Sequence, residues 1–179
     1  IHLMIRSQGA NHRLVLSAAA NAARVHLSEH AKTGPMEPPM LCMLFRKYLC
    51  GGRVLAVRRI AGDRILEIDV SNLSELGDPV TRTLVVEIMG RHSNIILRTE
   101  DGRIIDAARH VGQDISRVRQ VMPGLPYAYP PTQGKLDPET ADAEAVVSAL
   151  ENAGGKLEKP LERALRVFRP RRRVRRLFG

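Results

Sequence analysis

Two short polar clusters interrupt apolar runs, and they hold the side chains best suited to chemistry. One is Gly62-Asp63-Arg64, the other Gly90-Arg91-His92-Ser93-Asn94. An aspartate beside an arginine on a turn offers a carboxylate acceptor and a planar five-donor fork together. Such a pair can meet a base edge and a phosphate at once. The plainer reading of the first cluster is a turn-forming Asp beside a surface Arg. For the second it is a bulge whose His and Asn satisfy local backbone groups.

Catalytic constellations do not emerge. Nucleophilic catalysis needs a Ser or Cys beside a His, and none of the six histidines sits in a context that marks it. There is no G-x-S-x-G elbow and no H-E-x-x-H. Gly51-Gly52 precedes a strand rather than a helix, so it is not a phosphate loop. His26 and His30 are four apart, but Val25-His26-Leu27 reads extended, which argues against a shared metal. Cys42 and Cys50 lie outside any C-x-x-C and are expected to pack as small apolar groups. No catalytic residue, metal or cofactor is expected.

The elements that must position the two clusters are strands. Arg53 to Ile60, Leu66 to Val70, Arg82 to Met89, Ile95 to Arg98 and Arg103 to Ala107 read as an antiparallel meander. Gly62-Asp63 makes its first turn, and Glu100-Asp101-Gly102 is its clearest hairpin signal. Leu66, Ile68 and Val70 alternate with Glu67 and Asp69, which predicts one buried and one wet face. Leu73 to Pro79 reads as a loop. Upstream, residues 1–6 and 13–17 read as strands joined through Ser7–Asn11, and Arg24 to Leu27 as a third. After the proline-rich loop 33–39, Leu41, Leu44, Phe45, Tyr48 and Leu49 mark one face of a helix that Gly51-Gly52 stops.

Composition bounds the rest. The chain has 179 residues, enough for a core without disulfides. Aromatics are only 3 %, and no apolar run approaches the roughly 20 residues of a membrane helix. The formal charge is +9, but residues 163–179 carry eight arginines and no acid, leaving about +1 for the rest. A block of that kind is a solvated tail or a polyanion-binding arm. The opening alternation, without an initiator Met or a secretory progression, reads as a start inside a domain, and the cytosol is the expected compartment.

From Gln113 to Asp137 the composition turns to Pro, Gly and Tyr, which predicts a linker or an ordered wrap over the sheet. The expected organisation is a β-rich domain over 1–136, a helical region over 137–168 and an Arg-rich tail over 169–179. Asp137 and Pro138 are expected to open a helix carrying Ala143, Val146, Val147 and Leu150. A second helix is expected from Lys156 to Phe168.

Several motifs in register resemble one family. They are Glu37-Pro38-Pro39-Met40-Leu41-Cys42-Met43-Leu44-Phe45-Arg46-Lys47, Gly62-Asp63-Arg64-Ile65, Val86 to Leu97, and Arg119 to Tyr127. Their order and spacing are similar to the N-terminal domain of the NFACT ribosome-quality-control family across residues 1–137. The family also goes by fibronectin-binding protein A. The resemblance implies an α+β fold, an antiparallel sheet or sandwich like the N-terminal domain of formamidopyrimidine-DNA glycosylases, with flanking helices. It implies a non-enzymatic module that engages tRNA and the large ribosomal subunit with a stalled peptidyl-tRNA, in support of alanine tailing. The family's tRNA-engaging Asp-Arg motif falls on Asp63 and Arg64. Arg91, His92 and Asn94 match a second family signature, as an RNA contact or a structural motif. The resemblance also implies missing parts: family members begin about thirty residues earlier and continue into further domains. The catalytic N-terminal proline of the glycosylases has no equivalent. An adhesin-type binder of fibronectin is the alternative function, and a glycosylase-like enzyme is a remote third.

Overall fold

Gln8 and Gly9 make the first turn, both at positive φ (49° and 80°). Two such residues match the right-handed twist of flanking strands, so the turn closes in two residues. Strand β1 (His2–Ser7) therefore pairs with a longer β2 (Ala10–Ser17) than the sequence suggested, Ser7 directly opposite Ala10. Strand β3 (Arg24–Leu27) completes a three-stranded antiparallel sheet in the order β1-β2-β3. This computed structural model describes residues 1–30, 34–60, 63–131, 136 and 140–153.

Helix α1 (Met40–Leu49) follows, with Pro39 at its N-cap, where a missing N–H costs nothing. Leu41 and Phe45 are buried, as the helical spacing requires. Cys42 is half-buried, but Cys50 is exposed, contrary to the expectation that both pack inside. Cys50 falls at the helix's C-cap, past the last buried turn.

A five-stranded antiparallel sheet follows, its strands side by side in sequence order. Its strands are β4 (Arg53–Arg59), β5 (Ile65–Leu73), β6 (Pro79–Glu87), β7 (Asn94–Thr99) and β8 (Ile104–Ala107). The β5–β6 ladder runs on to Leu73–Pro79, shortening the expected loop to residues 74–78. One face packs Ile68, Val70, Leu84, Val86, Ile95 and Leu97 against α1 and Leu16 of the first sheet.

The opposite face is not wet. Ile65, Val85, Ile96 and Ile104 pack with Val121, and Glu67 is only 2 % exposed. Residues 108–130 cover this face as a strap. Val121 bridges Val111, and Leu125 and Gly124 bond Ile104, the edge of β8 (Ile104 N–Leu125 O and Gly124 N–Ile104 O, both 2.8 Å). Of the two expectations for this stretch, linker or wrap, the second is what these bonds describe. Alternation told which residues share a face, but not what lies over it.

The chain divides into two units, Ile1–Pro130 and Pro131–Gly179. In the second, helix α2 spans Ala143–Ala153. Its start is capped by Asp142, whose Oδ1 accepts from Ala145 N at 2.6 Å. The helix thus begins later than the Asp137-Pro138 signal suggested. Asp137 and Pro138, the second expected helix and the Arg-rich tail lie outside the described residues.

Candidate nucleic-acid interface

The β4–β5 turn carries Asp63 and Arg64. Asp63 N donates to Ile60 O (3.1 Å), and Asp63 Oδ1 accepts from Arg64 N (2.9 Å). The half-buried Asp63 therefore spends its carboxylate on the backbone of the next residue. Arg64 is exposed, and its carbonyl accepts from Ile88 N (2.9 Å), just beyond β6. That bond sets the turn beside the second cluster. Gly62, the first residue of the motif, lies outside the described residues.

Gly90–His92 form a single 3₁₀ turn between β6 and β7, with Gly90 at φ 58°. Arg91 and His92 are exposed, and Arg91 Nε donates to His92 Nε2 at 2.9 Å. Ser93 is fully buried and its Oγ accepts from Met89 N (2.8 Å), which pins the turn. Asn94 is 3 % exposed. Its Oδ1 accepts from Ile95 N (3.0 Å) and Arg109 N (2.9 Å), and its Nδ2 donates to Arg109 O (2.9 Å). All its bonds go to backbone, so Asn94 serves the fold at this point.

Asn94 thereby brings in a residue that sequence reasoning missed. Arg109 is exposed, and its Nη1 donates to Arg91 O at 2.5 Å. Arg64, through its carbonyl on Ile88 N, and Arg109, through its guanidinium on Arg91 O, thus gather with Arg91 at one end of the five-stranded sheet. Beside them, His110 Nε2 lies 2.6 Å from Asp106 Oδ1. A group of planar forks at the end of a rigid sheet suits phosphate oxygens, which accept two parallel N–H donors from one guanidinium. Among the described residues no cluster of His, Cys, Asp or Glu could hold a metal ion.

Under this end lies a charged network built on the buried Glu67 and Glu87, also unforeseen. Glu67 Oε1 accepts from Tyr129 OH (2.7 Å) and Arg98 Nη2 (3.4 Å), while its Oε2 accepts from Arg58 Nη2 (3.2 Å). Arg58 also pairs with Asp69, which accepts from Thr83 Oγ1 at 2.9 Å. Glu87 is 1 % exposed and accepts from Arg119 and from Tyr127 OH (2.9 Å). Tyr127 and Tyr129 meet edge to face, centroids 5.2 Å apart, and the guanidinium of Arg119 lies 5.2 Å from the Tyr127 ring. Burial, then the Glu87 charge, pushes the Tyr127 phenol far above its ordinary range. The hydrogen bond from Arg58 holds the Asp69 carboxyl below its own. The network fastens the strap to the strands that end in Arg64 and Arg91. Its one sequence signal was acidic residues at alternate positions of strongly apolar strands, read there as a wet face.

The model of the family described as NFACT N-terminal and middle domains matches residues 1–171. The chain is 40 % identical over 158 residues to the Rqc2 homolog RqcH of Bacillus subtilis, covering 88 % of this chain and 28 % of that protein. It is 42 % identical over 151 residues to the Streptococcus suis protein of the same name, covering 84 % and 27 %. The chain therefore spans little more than a quarter of the length of these relatives. Among solved structures it resembles the fibrinogen binding protein from Staphylococcus aureus (TM-score 0.81, 35 % identity, 94 % of this chain and 59 % of that one). It also resembles the N-terminal part of the fibronectin/fibrinogen-binding protein from Streptococcus suis (TM-score 0.74, 38 % identity, 89 % and 64 %).

Proposed function

The chain belongs to the NFACT family, and from that membership we propose that it is the tRNA-facing module of a ribosome-associated quality-control factor. In this reading the module acts without catalysis. It engages tRNA at large subunits stalled with peptidyl-tRNA, in support of alanine tailing of the nascent chain. The observation that carries the reading is the exposed arginine group at the sheet end: Arg64 on a turn held by Asp63, beside Arg91 and Arg109. Asp63 and Arg64 are assigned to tRNA. Arg91 and His92 are assigned to the same face, and Asn94 to its support. The expected partners are tRNA and the large ribosomal subunit, in the cytoplasm. Among the described residues no helix is long and apolar enough to cross a membrane.

The test is tRNA binding against salt by the full chain, with tail residues Arg171, Arg172, Arg173, Arg175 and Arg176 changed to Gln. Affinity is expected to fall steeply with salt, and Asp63→Ala with Arg64→Ala is expected to abolish most of it. Equal binding by that double variant sinks the assignment. A second reading, fibronectin or fibrinogen binding, draws on the names of the solved neighbours. Fibronectin capture that survives high salt and ignores Arg64 favours it.

A further inference from the structure

The near-neutral balance of residues 1–162 conceals a segregation of charge. Residues 1–28 contain no Asp, Glu or Lys, but they contain Arg6, Arg13 and Arg24 together with His2, His12 and His26. These residues build the three-stranded sheet. Its inner face is fixed by Leu3, Leu14, Leu16 and Val25, all of which pack into the core. Successive strand residues point to opposite faces, and residues directly opposite one another share a face. The register pairs Arg6 with Asn11, Met4 with Arg13, and Ser17 with Arg24, and sets Val15 between His2 and His26. All of these lie on the outer face.

That face therefore carries Arg6, Arg13, Arg24, His2 and His26 and no acid from residues 1–28; Glu29, just past β3, lines a groove at its border with Met4, Asn11 and Arg13. Arg13 Nη1 donates to the backbone carbonyl of Glu29 (3.1 Å), and Arg24 Nη1 to that of Ala22 (2.8 Å). A carbonyl steadies a guanidinium but leaves its charge unneutralised. Among the described residues, Arg6, Arg13 and Arg24 take part in none of the ion pairs, which involve Lys47, Arg58, Arg98, Arg103, His110 and Arg119 as cations. The two sheets differ in that Arg58 and Arg98 of the larger one pair with the buried Glu67, whereas no ion pair among the described residues involves Arg6, Arg13 or Arg24 of the smaller one.

We infer that this outer face is a second RNA-binding surface, distinct from the Asp63–Arg64 end, and that it grips a phosphate backbone. Strand rise and strand spacing place the three arginines on a diagonal, from Arg24 on β3 through Arg13 on β2 to Arg6 on β1, with end Cα atoms about 22 Å apart. A line of charge suits a linear polyanion, and forked guanidiniums suit phosphate oxygens. Among the described residues, Met4 is the one exposed large apolar side chain on this face, too little to anchor in a lipid surface. The basic face rests on register and charge alone; the choice of RNA as its polyanion rests on the function proposed above.

The test uses the full chain with the tail arginines changed to Gln as reference, and tRNA as the probe. The variant Arg6→Gln/Arg13→Gln/Arg24→Gln is expected to bind at least about tenfold more weakly near 0.1 M salt. Its log-affinity against log-salt slope is expected to be shallower by about 2, because each lost phosphate contact removes released counterions. The triple Lys variant, which keeps the charge, is expected to retain the slope. If circular dichroism shows the Gln triple unfolded, Arg6→Gln alone, which removes no side-chain hydrogen bond among the described residues, is expected to flatten the slope by about 0.7. An unchanged slope and affinity in the folded variant overturns the inference, as does a reference that binds no tRNA. Loss of binding to vesicles of phosphatidylserine and phosphatidylcholine, with tRNA binding intact, also overturns it. Asp63→Ala/Arg64→Ala run in parallel separates the two sites: loss there alone sinks this surface and keeps the first, and loss in the Gln triple alone does the reverse.

Discussion

Arg119 sits bidentate on Glu87, with Nη2 2.5 Å from Oε1 and Nη1 3.1 Å from Oε2 across 32 residues of sequence. The two side chains are 15 % and 1 % exposed. This pair ties the strap to the last residue of β6, and Arg119 Nε holds the strap's own Ala128 O at 2.6 Å. Removing one partner of a buried pair leaves an uncompensated charge, at a cost of about 3–5 kcal/mol. Arg119→Ala is therefore expected to lower Tm by roughly 10 °C. Glu87→Gln combined with Arg119→Leu is expected to recover part of that loss, because no lone charge remains. Thermal melts of the single and double variants check it; a single variant melting within a degree or two of the parent contradicts it.

Acid is expected to act through Asp69. Its pKa is lowered, first by the hydrogen bond from Arg58 and, against the cost of burial, also by that from Thr83. A carboxyl depressed in the folded state contributes stability that is present above its unfolded value, about 3.9, and lost as pH falls through the folded one. Stability should thus decline from about pH 4 downward. Asp69→Asn, which cannot titrate, is expected to show a flatter decline there. Urea midpoints between pH 2 and 6 give the comparison, and parallel curves for the two proteins would falsify the role.

Much of this arrangement is legible in the sequence, and the reason is local. Alternation through Leu66, Ile68 and Val70 and the Glu100-Asp101-Gly102 turn are short-range signals, and the strands they mark formed. The Asp63 turn is equally local, since its carboxylate bonds the very next residue. What could not be read is what meets across long separations. Glu67 looked wet because its neighbours alternate, yet its partner Tyr129 comes from 62 residues away. Arg109 joins Arg91 only because Asn94 folds the backbone back over 15 residues. The Gln8-Gly9 turn is shorter than its sequence suggests because Gln at positive φ is an unusual choice, one that strand twist imposes.

Gly51-Gly52 reads in sequence as one helix stop, but the two glycines do different work. Gly51 has φ 76° and open space around it. At Gly52 an added Cβ meets Val70 Cγ1 at 2.7 Å, Ser71 O at 2.9 Å and Leu49 O at 3.0 Å. The close approach lets α1 hand over to β4 directly against β5. Gly52→Ala must shift backbone as well as a side chain, at a cost of about 1–3 kcal/mol. Gly51→Ala is strained only by its backbone angle, at about 1 kcal/mol. Chemical denaturation of both variants should rank Gly52→Ala as the less stable; the reverse order removes the packing argument.

The two residues of the Asp63–Arg64 turn are expected to fail differently when changed. Asp63 Oδ1 accepts from Arg64 N and makes no ion pair among the described residues, so the fold uses its acceptor rather than its charge. Asn keeps an acceptor oxygen at the same place. Asp63→Asn is therefore expected to hold tRNA affinity within about threefold of the parent if Asp63 acts by shaping the turn. Asp63→Ala, which loses that acceptor, is expected to weaken binding clearly. Arg64→Lys keeps the charge but gives up the fork, and a point charge cannot make two parallel bonds to one phosphate. It is expected to lose about tenfold, close to one bidentate contact's share, with little change in salt slope because the charge is kept. Titrations of the three variants at two salt concentrations separate the roles. If Asp63→Asn loses as much as Asp63→Ala, the carboxylate's charge itself meets the RNA, and Asp63 reads a base edge rather than building the turn.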